Sequence, residues 1–196
     1  MESKTNFHIA NHMKQNEMVE HIVIYLINTI SQEEAFPLTH VRRQNLAITI
    51  YLFLERLVAH TNILMKEEAS LESTGIRCAL LSIEYLNRAG AVLRAANVGR
   101  FLSVAFLVAF KYTEDIPVSN GLWAKICGFE LTELNTMEIA LCQNMDWCIE
   151  VAPETFAKLM RQFSVPPPPV QLPSLSPFVS QFQADSPIVM DALVLA

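Results

Sequence analysis

The sequence has little glycine and lacks the short motifs that mark common enzyme sites. Only 5 of its 196 residues are glycine, which leaves few positions for tight turns or phosphate-binding loops and favours long helices. No GxGxxG, GxxxxGK[ST], GxSxG or HExxH motif occurs, and each of these is needed for a familiar type of catalytic or nucleotide site. We therefore predict a helical protein that catalyses no reaction of its own.

Basic residues are also scarce. The chain carries 14 Lys and Arg against 20 Asp and Glu, a net charge of −6, and no basic cluster beyond Arg42 and Arg43. Nucleic-acid binding needs positive charge to neutralise phosphates, so we expect no nucleic-acid partner. The uninterrupted apolar runs are shorter than the ~18 residues of a membrane span, and residues 1–12 lack the apolar region of a signal peptide. We expect no membrane association and an intracellular, soluble protein of the cytoplasm or the nucleus.

The cysteines and histidines do not form a metal-binding pattern. The four cysteines contain no CxxC pair, and the five histidines are scattered through the first 60 residues. A zinc site needs closer spacing of such ligands. We predict no metal and no cofactor, and we predict that all four cysteines are reduced and buried as small apolar side chains; they are Cys78, Cys127, Cys142 and Cys148.

Apolar residues, in contrast, are abundant and recur with helical spacing. They make up 52% of the chain, and charged residues make up only 17%, below the ~25% of an average soluble domain. The periodicity predicts seven helices, over about 14–30, 45–64, 70–88, 98–112, 119–128, 130–145 and 153–163. Ser70 is predicted to cap the third helix and Gly90 to end it, and Ser119 or Asn120 is predicted to cap the fifth helix and Gly128 to end it. Seven of the 10 prolines follow residue 164. We divide the chain into an N-terminal helix and connector (1–44), a helical domain (45–163) and an irregular tail (164–196).

The most informative stretch is the fourth predicted helix. Residues from Phe101 to Phe110 are nearly all apolar and are followed by Lys111, and a helix that is apolar all round must be covered on every side. Glu138 lies among apolar neighbours on the sixth predicted helix, where a carboxylate needs a partner. We predict that Lys111 and Glu138 meet at the edge of the core, on a surface that holds another protein. Trp123 and Trp147 are predicted to anchor the core.

Five short segments, taken in order, resemble a cyclin box. They are YLNR (85–88), AFKYTED (109–115), AKICG (124–128), ELNTME (133–138) and DWCI (146–149). The AKxxG and ELNxxE segments are most similar to cyclins of the P and U types, and the resemblance covers about residues 45–160. The sequence departs from the family pattern in three places: Phe110 replaces a small residue, Asn87 replaces an aspartate, and Cys127 replaces one of two paired glycines.

The resemblance implies an all-α fold, a single cyclin box of five helices with an extra helix at each end. It also implies a regulatory subunit that binds and activates a cyclin-dependent protein kinase. The fourth and sixth helices would contact the mobile C-helix of the kinase, and the kinase-binding residues would be Lys111, Glu138, Phe110, Leu107, Leu134 and Leu141.

Three other functions stay open at this point. The chain could be a cyclin-fold adaptor that binds its partners without activating a kinase, a cyclin-fold nucleic-acid-binding factor, or an unrecognised hydrolase or transferase. The four prolines at 166–169 are a potential ligand for a proline-recognition domain, although a stiff linker is the simpler interpretation. No second cyclin box is predicted, because the tail is short and rich in proline.

Overall fold

The computed structural model describes residues 2–34 and 37–165, with side chains described from residue 14 onward. Within these ranges the chain forms seven α-helices and no β-strand: α1 (Glu2–Glu33), α2 (His40–Met65), α3 (Thr74–Arg88), α4 (Val98–Thr113), α5 (Asn120–Cys127), α6 (Leu131–Asn144) and α7 (Pro153–Ser164). The predicted all-α fold, with five central helices and one more at each end, is confirmed. Apart from its first two residues, the predicted tail (164–196) with its proline run lies outside the described ranges.

The start of a helix follows its N-terminal cap, and two caps differ from the sequence prediction. Thr39 accepts a hydrogen bond from the third N–H beyond it at 3.3 Å, so α2 begins at His40 rather than at residue 45. Ser73, and not Ser70, caps α3, because its hydroxyl lies 3.5 Å from the N–H of Ile76. α1 extends back to residue 2, well before the predicted start at residue 14.

Three other predicted helix signals are confirmed. Ser119 caps α5 by accepting the N–H of Leu122 at 3.2 Å, and Gly128 ends that helix with φ 74°. Gly90 has φ 61° and follows the last residues of α3, where the left-handed conformation that glycine favours closes a helix.

Helix α4 lies at the centre of the molecule, as its composition predicts. All nine residues from 102 to 110 are buried, and Lys111, which follows them, is exposed. Ala105, Phe106 and Leu107 have no exposed surface. α3 packs along α4, and α2 and α6 also contact it. The other helices thereby cover the apolar surface that this helix presents on every side.

Helix α1 packs on α2 and has an apolar face whose residues recur with helical spacing. All five residues of that face are fully buried: Val19, Ile22, Val23, Leu26 and Ile30. The C-terminal helix α7 closes over the same region, since the ring of Phe163 meets Tyr25 edge to face at 5.5 Å. The Phe163 carbonyl oxygen also lies 2.6 Å from His21 Nδ1. The two extra helices therefore pack against each other beside the central five.

By length and composition alone, α2 could cross a membrane. Five of its apolar side chains are covered by protein, since Ile50, Phe53, Leu54, Leu57 and Val58 are at most 2% exposed, whereas Val41 and Ile63 are 64% and 71% exposed. Such burial is typical of the core helix of a folded domain.

Gly75, the second residue of α3, allows α3 to approach α2 closely. Its N–H donates to Asn62 Oδ1 at 3.1 Å, and Asn62 also donates to Gln15 Oε1 of α1 at 3.2 Å. A Cβ atom added to Gly75 would lie 2.6 Å from both Asn62 Oδ1 and the backbone oxygen of Val58. The three helices can meet there only if the residue has no side chain.

We expect Gly75→Ala to destabilise the fold by about 1–3 kcal/mol, the usual cost of an extra methyl group in a packed interior. The matched control is Gly121→Ala, because Gly121 is also the second residue of its helix and its added Cβ would meet nothing within 4 Å. This control should be neutral or stabilising by up to ~1 kcal/mol, since alanine favours helix. Urea unfolding followed by circular dichroism measures both, and equal effects of the two substitutions would contradict the prediction.

Candidate protein-binding site

Lys111 and Glu138 form an ion pair between the end of α4 and the middle of α6. Lys111 lies in the last turn of α4, where a cation is favoured by the helix dipole. Its Nζ donates to Glu138 Oε1 at 2.6 Å. The lysine side chain is 37% exposed and the glutamate 19%, so the pair lies at the boundary between core and solvent. The predicted meeting of these two groups is observed.

The second oxygen of Glu138 is bound by a residue that the sequence did not point to. Asn120 Nδ2, at the first position of α5, donates to Glu138 Oε2 at 2.6 Å and to Asn135 Oδ1 at 2.7 Å. Both oxygens of the carboxylate are therefore occupied, one by α4 and one by α5. Sequence analysis gave Asn120 only as an alternative cap for α5, since no local pattern shows which residue of another helix it meets.

The ion pair also affects a neighbouring thiol. Burial raises the pKa of Cys142, the Glu138 carboxylate raises it further, and Lys111 opposes the shift. Cys142 lies one turn beyond Glu138 and is 6% exposed. Cys142 is therefore a buried neighbour of the ion pair.

Both helices that carry the pair also have exposed apolar side chains. Leu131, Asn135 and Ile139 follow one another at four-residue spacing on α6, so they form a row on one face. Leu131 is 44% exposed and Ile139 is 51% exposed. On α4, Tyr112 comes directly after Lys111 and is 47% exposed. We call Lys111, Tyr112, Leu131, Glu138 and Ile139 the α4–α6 surface.

The other predicted kinase-binding residues lie beneath this surface. Leu107, Phe110 and Leu134 have no exposed surface, and Leu141 is 4% exposed. The Phe110 ring stacks on Trp123 of α5 with 6.2 Å between centroids. These four side chains fix how α4, α5 and α6 pack together, and in this structure they are covered by the chain itself.

Trp123 attaches α5 to α4 and so places Asn120. Its ring has no exposed surface, its Nε1 donates to the Ser103 carbonyl oxygen at 3.0 Å, and it also stacks on Phe106 at 5.7 Å. The prediction that Trp123 anchors the core is confirmed.

A second ion pair joins α4 and α6 away from the first. Arg100 Nε donates to Glu133 Oε1 at 2.7 Å, and its guanidinium lies 5.8 Å from the centre of the Phe129 ring. Arg100 and Lys111 are 11 residues apart, about 16 Å along an α-helix. This second pair therefore offers a comparison for variants of Lys111 and Glu138.

Asn87, which stands where the family pattern has an aspartate, bonds to a residue of α1, and the neighbouring Arg88 pairs with a glutamate of its own helix. Asn87 Oδ1 accepts the hydroxyl of Tyr25 at 3.2 Å, and Arg88 pairs instead with Glu84, one turn earlier, at 2.9 Å. Arg88 also donates to the carbonyl oxygens of Cys148 at 3.2 Å and Glu150 at 2.7 Å. The arginine thus keeps a carboxylate partner and holds the segment that follows α6.

The prediction that Trp147 anchors the core is wrong. The side chain of Trp147 is 61% exposed. It follows α6 in a turn where Asp146 and Trp147 have φ of 50° and 59°, a conformation that is uncommon outside glycine. The chain therefore leaves the helix in this turn before the apolar segment at Ile149 packs against the core.

The predicted burial of the cysteines holds for three of the four. Cys78, Cys127 and Cys142 are buried, Cys148 is exposed, and all four are free thiols. Burial raises the pKa of both Cys78 and Cys127 to about 12. Within the described part of the chain, no three His, Cys, Asp or Glu side chains are grouped so as to hold a metal ion.

Comparison with known families decides which fold this helix arrangement represents. The family model described as Cyclin matches residues 40–149, more than half of the chain. The chain belongs to the cyclin family. The matched range begins at the first residue of α2 and ends just after α6, so it contains the five central helices of this cyclin.

The curated relatives are plant cyclins of the P and U types. This cyclin is 32% identical to Cyclin-P3-1 of Oryza sativa subsp. japonica over 43% of its own length and 36% of that protein. It is 26% identical to Cyclin-U4-1 of Arabidopsis thaliana, over 56% of its own length and 51% of the relative. For Cyclin-P4-1 of Oryza sativa subsp. japonica the identity is also 26%, over 66% and 61%.

The predicted resemblance to a P/U-type cyclin-box protein is confirmed. The matched regions span from about one third to about three fifths of these relatives. No solved structure matches this cyclin.

Proposed function

We propose that this cyclin binds a cyclin-dependent protein kinase through the α4–α6 surface and activates it. Cyclin family membership supports a regulatory role without catalysis. The observation that carries the proposal is the Lys111–Glu138 pair at 2.6 Å among exposed apolar side chains. Aromatic side chains such as that of Tyr112 are enriched in protein interfaces, whose buried core is more apolar than the rest of the surface, and a charged group beside them gives specificity for a complementary partner.

The geometry of the pair suggests what the partner must offer. Both oxygens of Glu138 already accept hydrogen bonds from within the chain. The Lys111 ammonium has three N–H donors and gives one of them to Glu138. The two remaining donors need acceptors, so the kinase would contribute carbonyl or carboxylate oxygens to Lys111, and apolar side chains to Leu131 and Ile139.

Activation would follow from preferential binding to one state of the kinase. Catalysis in protein kinases requires an ion pair between a lysine and a glutamate of the kinase C-helix. A cyclin that contacts this helix only in its inward position shifts the equilibrium towards the active state, by no more than its difference in affinity for the two states. The cyclin itself performs no chemical step in this mechanism.

The test begins with affinity capture of tagged full-length chain from its native cells, followed by mass spectrometry of the captured kinases. A captured kinase, made recombinantly, is then assayed with increasing amounts of the purified chain. We expect phosphorylation of a peptide substrate to rise and saturate. As bait, Glu133→Ala should capture the same kinase, whereas Glu138→Ala should not.

Comparison of the two glutamate variants shows whether capture of the kinase depends on the α4–α6 surface. Both remove a glutamate of α6 that pairs with a basic side chain of α4, so they differ mainly in position. A kinase that binds directly but shows no rise in activity would contradict activation and favour the cyclin-fold adaptor. Equal capture of a kinase by both variants would contradict the proposed surface.

A further inference from the structure

Asn120 uses both N–H donors of its side-chain amide within the site. Its two N–H bonds point at two acceptors of α6, Glu138 Oε2 at 2.6 Å and Asn135 Oδ1 at 2.7 Å. We propose that Asn120 is a positioning residue, which holds the Glu138 carboxylate so that its other oxygen faces Lys111. The expected effect of Asn120 on kinase binding rests on the proposed function. Its effect on Glu138 does not, because that effect can be measured on the chain alone.

The reason for such a residue lies in the flexibility of glutamate. Glu138 has three rotatable side-chain bonds and is attached to an exposed edge of α6, so Lys111 alone would leave the carboxylate free to turn with it. A second donor, fixed on a different helix, removes that freedom. Asn120 is itself fixed, because the hydroxyl of Ser119 caps the helix at this point and Trp123 is buried three residues later.

A purely structural role is the competing explanation, since the same bonds tie α5 to α6. The two roles differ in what happens when the donor becomes an acceptor. Asn120→Asp keeps the size of the side chain but places carboxylate oxygens against Glu138 Oε2. Two carboxyl groups that share a site cannot both ionise easily, so the pKa of one of them rises.

Two other titratable groups near Glu138 could also influence its titration. Lys111 Nζ of α4 lies 2.6 Å from Glu138 Oε1, and the thiol of Cys142 on α6 lies one turn away. Both are unchanged in Asn120→Asp, so a changed titration of Glu138 would come from the substituted residue. The control Asn45→Asp makes the same charge change on an exposed position of α2.

The experiment follows the side-chain carboxyl carbons of Glu138 and of position 120 by NMR from pH 3 to 8 in the ¹³C-labelled chain. In Asn120→Asp we expect the titration midpoint of one of these two carboxyl groups to rise by about one pH unit or more, and in Asn45→Asp we expect the Glu138 midpoint to stay at the wild-type value. Kinase binding by Asn120→Asp should be weaker than wild type at pH 7.5 and should recover towards pH 5, where the shared proton restores a hydrogen bond.

Each outcome decides a different statement. In folded Asn120→Asp, a midpoint that is raised for neither carboxyl group overturns the positioning role, and so does a raised midpoint with undiminished kinase binding. If the wild-type chain binds no kinase, the proposed function fails while the two carboxyl midpoints still test Asn120. Should Asn120→Asp fail to fold, Asn120→Ala replaces it; loss of the Lys111–Glu138 contact in its NMR spectra supports the role, and retention overturns it.

Discussion

Lys111→Ala is expected to weaken kinase binding by about 30- to 1,000-fold while leaving the fold intact. Truncation of a central interface residue costs on the order of 2–4 kcal/mol of binding free energy, and each 1.4 kcal/mol is about tenfold in affinity. The cost to folding is small, because partly exposed ion pairs contribute only about 0.2–1 kcal/mol. Calorimetry of binding, together with urea unfolding of the free chain, measures the two quantities separately.

Arg100→Ala is the matched control for this prediction. It breaks the other ion pair between α4 and α6, whose side chains are 33% and 38% exposed, so we expect a similar small loss of stability. Since Arg100 lies at the opposite end of α4, kinase binding should remain near the wild-type value. If the two variants bind equally well or equally poorly, Lys111 has no special part in the interface.

Exchange of the two charges separates contact with the partner from support of the fold. The double variant Lys111→Glu with Glu138→Lys keeps an ion pair between the same two positions. If the pair only joins α4 to α6, the double variant should restore the part of the loss that comes from the ion pair, although not the Asn120 hydrogen bond to Glu138 or the favourable cation at the end of α4. If Lys111 donates to acceptors on the kinase, stability returns and binding does not, because a carboxylate now faces those acceptors.

The parts of the fold that were predicted correctly depend on local sequence. The apolar decamer before Lys111 marks a buried helix whatever surrounds it, and Ser119 and Gly128 act on residues within one turn of themselves. The start of α3 was misplaced because Ser70 and Ser73 are both good caps, and the sequence contains no further local signal to choose between them. Helix α3 begins beside the contact of Gly75 with Asn62 of α2, a tertiary contact that local sequence does not indicate.

The candidate site, like the fold, could be predicted from the sequence only in part. The Lys111–Glu138 pair could be predicted because each charge follows an apolar pattern and because the surrounding segments resemble a family. Asn120 could not be predicted, since its partners lie 15 and 18 residues away on another helix. Trp147 was wrongly predicted to be buried, because a large aromatic side chain is usually buried. The conformation of its turn, which no sequence pattern indicated, exposes it.

We expect Trp123→Ala to destabilise the fold by about 3–5 kcal/mol, the usual cost of removing a buried aromatic side chain. The substitution removes the stacking against Phe106 and Phe110 and the hydrogen bond to the Ser103 carbonyl oxygen. For a chain of this size, that corresponds to a fall in Tm of about 6–20 °C. Thermal and urea unfolding, followed by far-UV circular dichroism, measure the change.

Trp147→Ala is the control, since it deletes the same side chain at a position that is 61% exposed and should change the stability by no more than about 0.5 kcal/mol. The total stability of a domain is only about 5–15 kcal/mol, so Trp123→Phe provides a milder variant if Trp123→Ala does not fold. Phenylalanine keeps the aromatic stacking but loses the indole N–H, so its cost should lie between those of the other two substitutions. Equal stability of the Trp123 and Trp147 variants would mean that α5 does not depend on Trp123 for its attachment to α4, and Asn120 would then lack the fixed position that its contact with Glu138 requires.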